Sequence, residues 1–152
     1  MASGELDDIL ISKLKERGQR VTPQRLVIHR AMAERDQHLT AEQVLEMVSS
    51  RLPGTSLPTV YATLELFEKL GLIRRISSAS GASLFDSRTS PHAHAICRGC
   101  GAVADIELVD ASLEGSLDAL ASGIERGFSA DHAEVLIWGS CTACATQLTA
   151  VS

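Results

Sequence analysis

The chain has 152 residues, 45% of them apolar and 3% aromatic, with a formal net charge of −5. That length suits one medium domain or two small ones. The apolar share excludes a disordered chain, and no apolar run approaches the ~18 residues that a membrane span needs. The N-terminal stretch MASGELDDILISKLKERGQR is acidic early and lacks the apolar core of a secretion signal. A cytoplasmic protein with no membrane partner is therefore expected, and four cysteines in a reducing compartment point to metal or redox chemistry rather than to disulfides. The charge is uneven. Residues 1–90 carry 12 Lys and Arg against 11 Asp and Glu, and residues 91–152 carry 2 against 8. Lys13, Lys15, Arg17, Arg20 and Arg25 cluster near the start. An acidic protein can still bind nucleic acid through one basic face, although a solvated helix face would explain the same cluster.

In chain order, LDDILISKLKER places Leu6, Ile9, Leu10 and Leu14 on one helical face, and Gly18 closes it. Thr22 and Pro23 open a second helix as N-cap and first-turn proline. Thr40 opens a third, with TAEQ as a capping box in which Gln43 returns the bond. Its buried face is Val44, Leu45, Val48 and Leu52, and Pro53-Gly54 is a turn. In SLPTVYATLELFEKLGLI, Val60, Leu64, Phe67 and Leu70 form a stripe that ends at Gly71. LIRRIS and ASLFDS then flank the turn SASGA as a β-hairpin. Helices followed by a hairpin make a winged helix-turn-helix, with residues 57–70 as recognition helix presenting Thr59, Tyr61 and Ala62 to the major groove. The stripe is core under any reading, and Tyr61 fits a surface aromatic equally well.

The second half has strand-like pieces, HAIC, AVADIEL and EVLIWG, with a helical stretch, DASLEGSLDALASGIE, between the last two. The fold class expected is α+β: an N-terminal winged helix-turn-helix domain over residues 1–85, a hinge at 86–91, and a small α/β dimerisation domain over 92–152. So thin a second core calls for a staple or a partner chain.

Cys97 and Cys100, and Cys141 and Cys144, form two CxxC pairs, each expected at a strand end followed by a turn. Two such knuckles make a tetrahedral thiolate cage for structural Zn2+. A thioredoxin-like motif would instead place one pair at a helix N-terminus after a strand, and neither pair reads that way. His92 and His94 are then left over. Two apart in a strand, they face the same side and could share one metal. Asp86, Asp105 and His38 are further candidates, and such mixed N/O donors suit Mn(II), Fe(II), Ni(II) or Zn(II). His38 could equally be a loop histidine and Asp86 a turn former.

Taken together, RVTPQR, HLTAEQV, SLPTVYATLELFEKLGLI, HAHAICRGCG and CTAC resemble the ferric uptake regulator superfamily of bacterial metal-dependent repressors, over roughly residues 5–145. The resemblance implies a homodimer that binds a palindromic double-stranded DNA operator and is not an enzyme. It implies zinc on the four cysteines and a regulatory Fe2+ or Mn2+ on His38, Asp86, His92, His94 and Asp105. DNA contacts are expected from Lys15, Arg20, Arg25, Thr59 and Tyr61. Aspartate at both 86 and 105 is the pattern of the peroxide-responsive branch, in which a ligand histidine is oxidised, here His38 or His92. Iron-responsive members usually carry glutamate at both positions; control of metal uptake by iron is the alternative function. An extra site of the iron regulators uses His and Asp where this chain has Pro91 and Ala93, and is expected to be missing. Ala62 stands where iron regulators often carry Arg. His132 is expected to be structural. A metalloenzyme would need an acid/base group beside an open coordination position, and the sequence offers none. A zinc-stapled interaction module would leave the helix-turn-helix and the basic cluster unexplained.

Overall fold

The computed structural model describes residues 3–34, 38–77, 81–90, 92–107 and 134–149. It divides into two compact units, residues 1–89 and 90–152. The helical stretch expected over residues 110–125 and His132 lie outside the described residues.

The first unit runs α1 (Ser3–Glu16), α2 (Pro23–Ala33), α3 (Ala41–Val48) and α4 (Leu57–Lys69), then β1 (Arg74–Ser77) and β2 (Ser83–Asp86). Local chemistry sets the starts. The Thr22 side chain accepts from the Arg25 amide, with Pro23 in the first turn. At α3 the capping box is complete: the Gln43 N–H donates to Thr40 Oγ1 at 3.2 Å, and the Thr40 N–H donates to Gln43 Oε1 at 2.8 Å. Gly18 and Gly71 end α1 and α4 at φ +63° and +68°, which residues with a Cβ rarely adopt. Strands β1 and β2 pair antiparallel, Arg75 opposite Phe85.

The helical stripes meet in one core: Leu10 and Leu14 from α1, Ile28 and Met32 from α2, Val44 and Val48 from α3, Val60, Leu64 and Phe67 from α4, and Phe85 from β2. Each such burial contributes about 1.5–3 kcal/mol before entropy is counted. Among the described residues, buried polar side chains of this unit include His29, Thr63 and Asp86. His29 is buried, edge-on to Phe67 with centroids 5.5 Å apart. Burial pushes its pKa below the ordinary 6.5, against a smaller opposing pull from Asp7. Below pH 6.5 the unfolded chain takes up a proton that folded His29 refuses, so stability falls with pH until the depressed folded value is reached. Comparison of wild type with His29→Gln checks this. The melting temperature should fall more steeply between pH 7.5 and 5.5 in wild type, and equal slopes would show that His29 is not the group responsible.

The second unit holds β3 (Ala93–Cys97), β4 (Val103–Ile106), β5 (Val135–Gly139) and α5 (Thr142–Thr149). The strand order is β4-β3-β5, antiparallel on one side of β3 and parallel on the other. Among the described residues its buried apolar side chains are Ala93, Ile96 and Cys97. They are joined by the buried imidazoles of His92 and His94. The described part of this unit thus buries little apolar surface, so a staple would contribute much to it.

Candidate metal centres

Strand β3 carries two kinds of donor. At its C-terminal end, Cys97 and Cys100 meet Cys141 and Cys144, with all four sulfurs within 4.8 Å of one another. The Cys100 and Cys141 sulfurs are 3.7 Å apart. A tetrahedron with Zn–S bonds of ~2.3 Å has edges of about 3.8 Å, so the spacing fits a bound zinc. The Cys141 amide donates to Cys97 Sγ at 3.2 Å, as amides commonly do to thiolates.

Charge supports the same reading. Backbone N–H donors, first that of Cys141 and then that of Cys100, pull the Cys97 thiol down to about 6. Contact with the sulfurs of Cys141, Cys97 and Cys100 pushes Cys144 up to about 12. Four thiols this close do not all ionise by themselves, and a dication supplies the missing compensation. The fit is tight at Gly99, where an added Cβ would lie 2.8 Å from Cys144 Sγ. Only hydrogen fits in that place without moving a ligand.

One sequence expectation needs correction. The second pair is not a knuckle closed by a turn: Cys141 follows β5, and Cys144 lies in the first turn of α5. This is the strand-to-helix setting that the sequence reading reserved for a redox motif. What separates the two readings is convergence, since the second CxxC shares its sulfurs with the first. Short helices with few periodic apolar residues, such as TACATQLT, leave little trace in a sequence.

At the other end of β3, His92 and His94 face one side, with ring centroids 4.4 Å apart. Asp105 lies directly opposite His94 in the β3–β4 register. Its Oδ1 is 3.5 Å from His92 Nε2 and 3.7 Å from His94 Nε2. His92 Nδ1 is 2.8 Å from the Ser90 carbonyl oxygen. A carbonyl only accepts, so Nδ1 carries the proton and Nε2 keeps its lone pair. The second unit thus offers two imidazoles and a carboxylate converging on one point. Glu134, which the sequence reading passed over, brings Oε1 to 3.6 Å from His94 Nδ1.

The first unit offers two more donors. An antiparallel bridge joins Leu39 and Phe85 through backbone hydrogen bonds of 3.0 and 2.8 Å. The same register sets His38 across from Asp86. Asp86 is buried, and its Oδ1 accepts from the Arg88 amide at 2.8 Å, which orients the carboxylate.

Of the five residues expected at DNA, Lys15 and Arg20 are exposed. Arg25 turns its guanidinium back onto the Arg20 carbonyl, and Thr59 shares a 2.9 Å hydrogen bond with Ser56. Tyr61 donates to Glu42 Oε1 at 3.4 Å and sits edge-on to Phe85. Its ring therefore helps join α4 to α3 and the wing.

A helix-turn-helix followed by a hairpin, joined to a sheet unit with a four-sulfur cage and a separate His/Asp set, defines a metal-responsive DNA-binding regulator. Comparison with known proteins agrees. A family model described as the ferric uptake regulator family matches residues 16–135. The peroxide operon regulator of Bacillus subtilis (strain 168) is 34% identical over 147 residues, covering 97% of this chain and 98% of that protein. The solved ferric uptake regulator of Pseudomonas aeruginosa with manganese superposes with a TM-score of 0.69 at 28% identity, over 86% of this chain and 96% of that one. A zinc uptake regulator complexed with zinc and DNA gives 0.63 at 25% identity, over 98% and 99%. The chain belongs to the ferric uptake regulator family, and it is a metal-dependent, DNA-binding transcriptional repressor.

Among the described residues no helix is long and apolar enough to cross a membrane.

Proposed function

We propose that this repressor works in the cytoplasm as a homodimer and senses peroxide through an exchangeable Fe(II) or Mn(II). Its ligands are His38 and Asp86 from the winged-helix domain and its hinge, with His92, His94 and Asp105 from the dimerisation domain. The four cysteines hold a permanent zinc. The observation that carries the reading is the meeting of His92 Nε2 and His94 Nε2 on one Asp105 oxygen. Nitrogen and carboxylate donors without thiolate suit a hard, exchangeable ion. Aspartate at both 86 and 105, together with the relationship to the B. subtilis peroxide regulator, favours peroxide over iron as the signal.

Ferrous iron, when bound, would activate peroxide by lending an electron that it recovers from the oxidised ring. The chain's own residues do the rest. Asp86 and Asp105 would hold the ion through their short carboxylates, with His38, His92 and His94 completing the set. An imidazole of His38 or His92 would gain one oxygen atom of peroxide, its two electrons reducing the other to water, and the oxidised ring would no longer ligate. Ligands drawn from both domains act as a clip that fixes two winged helices at the spacing of palindromic half-sites. The metal shifts that equilibrium only by its preference for the clipped form. Exposed Ile137 and Trp138 on β5 supply apolar surface that suits a subunit contact. Lys15, Arg20, Arg25, Thr59 and Tyr61 are the proposed DNA contacts, the Tyr61 ring being braced by Glu42 and Phe85.

The test is a peroxide challenge. Iron-loaded protein should leave an operator duplex at micromolar peroxide, with one oxygen added to the peptide bearing His38 or His92. Manganese-loaded protein should stay bound. Retention by the iron form would sink the peroxide reading and favour iron-responsive control of metal uptake.

A further inference from the structure

Glu134 has no part in the ligand set above, yet it stands behind one of its members. His92, immediately before β3, and His94 on it bring their rings together, and both are buried, at 4% and 1% exposure. Each must offer Nε2 as a bare lone pair, because the two Nε2 atoms meet at Asp105 Oδ1. A free neutral imidazole prefers to carry its proton on Nε2, which would cap that lone pair. At His92 the Ser90 carbonyl holds the proton on Nδ1 instead. At His94 the group facing Nδ1 is the Glu134 carboxylate, 3.6 Å away.

We propose that Glu134 is a positioning residue for His94: its carboxylate takes the Nδ1–H of the buried ring and so presents Nε2 to the regulatory metal. This rests on the reading that His92 and His94 hold that metal. Position favours it. Glu134 immediately precedes β5, whose parallel register sets Val135 beside Ala93 and Leu136 beside His94, so the carboxylate is carried on the same sheet as the ring. At 3.6 Å the pair is a charge–dipole contact, and a shift of roughly half an ångström would bring it within the 2.7–3.2 Å of a hydrogen bond. Carboxylates behind ligand histidines fix the tautomer and raise ligand basicity, and their loss typically costs ~10–100-fold in metal affinity. Glu134 is not itself a ligand in this scheme. Ligation through His94 Nδ1 would turn that ring's lone pair away from His92 and Asp105.

The experiment uses the full-length, zinc-containing protein without regulatory metal. Long-range proton–nitrogen NMR reads the His94 tautomer, and titration with Mn(II) reads affinity, in wild type, Glu134→Leu and Glu134→Gln. Wild-type His94 should carry its proton on Nδ1. Glu134→Leu should move it toward Nε2 and weaken Mn(II) by ~10–100-fold, at unchanged zinc content. Glu134→Gln keeps an accepting oxygen and should retain the tautomer and most of the affinity. An unchanged tautomer and affinity in Glu134→Leu would overturn the proposal. So would an equal loss of Mn(II) in both variants with the tautomer intact, which would make Glu134 a ligand. Failure of wild type to bind Mn(II) at all would instead defeat the regulatory-site reading, while the tautomer still judges Glu134.

Discussion

Cys100→Ser is expected to strip zinc from the protein and to leave residues 90–152 without a stable fold. The described part of this unit buries few apolar side chains, Ala93, Ile96 and Cys97 among them, on a three-stranded sheet. Conformational entropy opposes that sheet at roughly 1–2 kcal/mol per ordered residue. Structural zinc in small peptides contributes an apparent ~10–16 kcal/mol, more than a typical domain's whole margin of ~5–15 kcal/mol. The cage joins the end of β3 to the start of α5, so its loss frees both. The chain's single tryptophan, Trp138, lies on β5 and reports on this unit and its proposed subunit contact, not on residues 1–89. Zinc content, tryptophan emission and sedimentation together make the measurement. The variant should be zinc-free, red-shifted and monomeric, with much of the helical circular dichroism of residues 1–89 retained. A zinc-free variant with native emission would show that the cage is dispensable.

His94→Ala should have the opposite profile: zinc retained, metal response gone. His94 is fully interior, faced by Asp105 on Nε2 and Glu134 on Nδ1. Removing a proposed direct ligand should weaken Mn(II) by more than the ~10–100-fold typical of outer-shell losses. The cysteine sulfurs converge at the far end of the strand, so the cage should survive. Fluorescence anisotropy on an operator duplex, at fixed salt because phosphate contacts make affinity salt-dependent, gives the readout. Wild type should tighten on adding Mn(II), and the variant should not. A variant that still responds would place the sensing metal elsewhere.

The first unit was largely legible in the sequence because its signals are local. Thr22-Pro23, the Thr40–Gln43 capping box, Gly18, Gly71 and the periodic stripe of α4 each act within a few residues, and each has its expected structural counterpart. The paired CxxC motifs were legible for another reason, since two pairs of thiols at this spacing are a strong signature of one thiolate cage. What the sequence hid is long-range. The parallel pairing of β5 with β3 joins residues about 40 apart, and no periodicity encodes such a register. Glu134 was missed for that reason, whereas Asp105 was found because it lies on the next strand. Tyr61 reads from helical spacing as either a groove-facing or a surface aromatic, and only the packing of α3 and β2 reveals Glu42 and Phe85 beside it.

The bridge between Leu39 and Phe85 couples two properties usually measured apart. Its paired backbone hydrogen bonds fasten Leu39, just before the N-cap of α3, to Phe85 on β2 of the wing, so His38 and Asp86 travel together as one jaw. An operator that steadies the wing also steadies two of the five proposed ligands. By thermodynamic reciprocity, whatever factor the metal adds to DNA affinity, DNA returns to metal affinity. A promoter-bound copy would therefore hold its ion more tightly than a free one, and the operator itself would help set the metal concentration at which the repressor lets go.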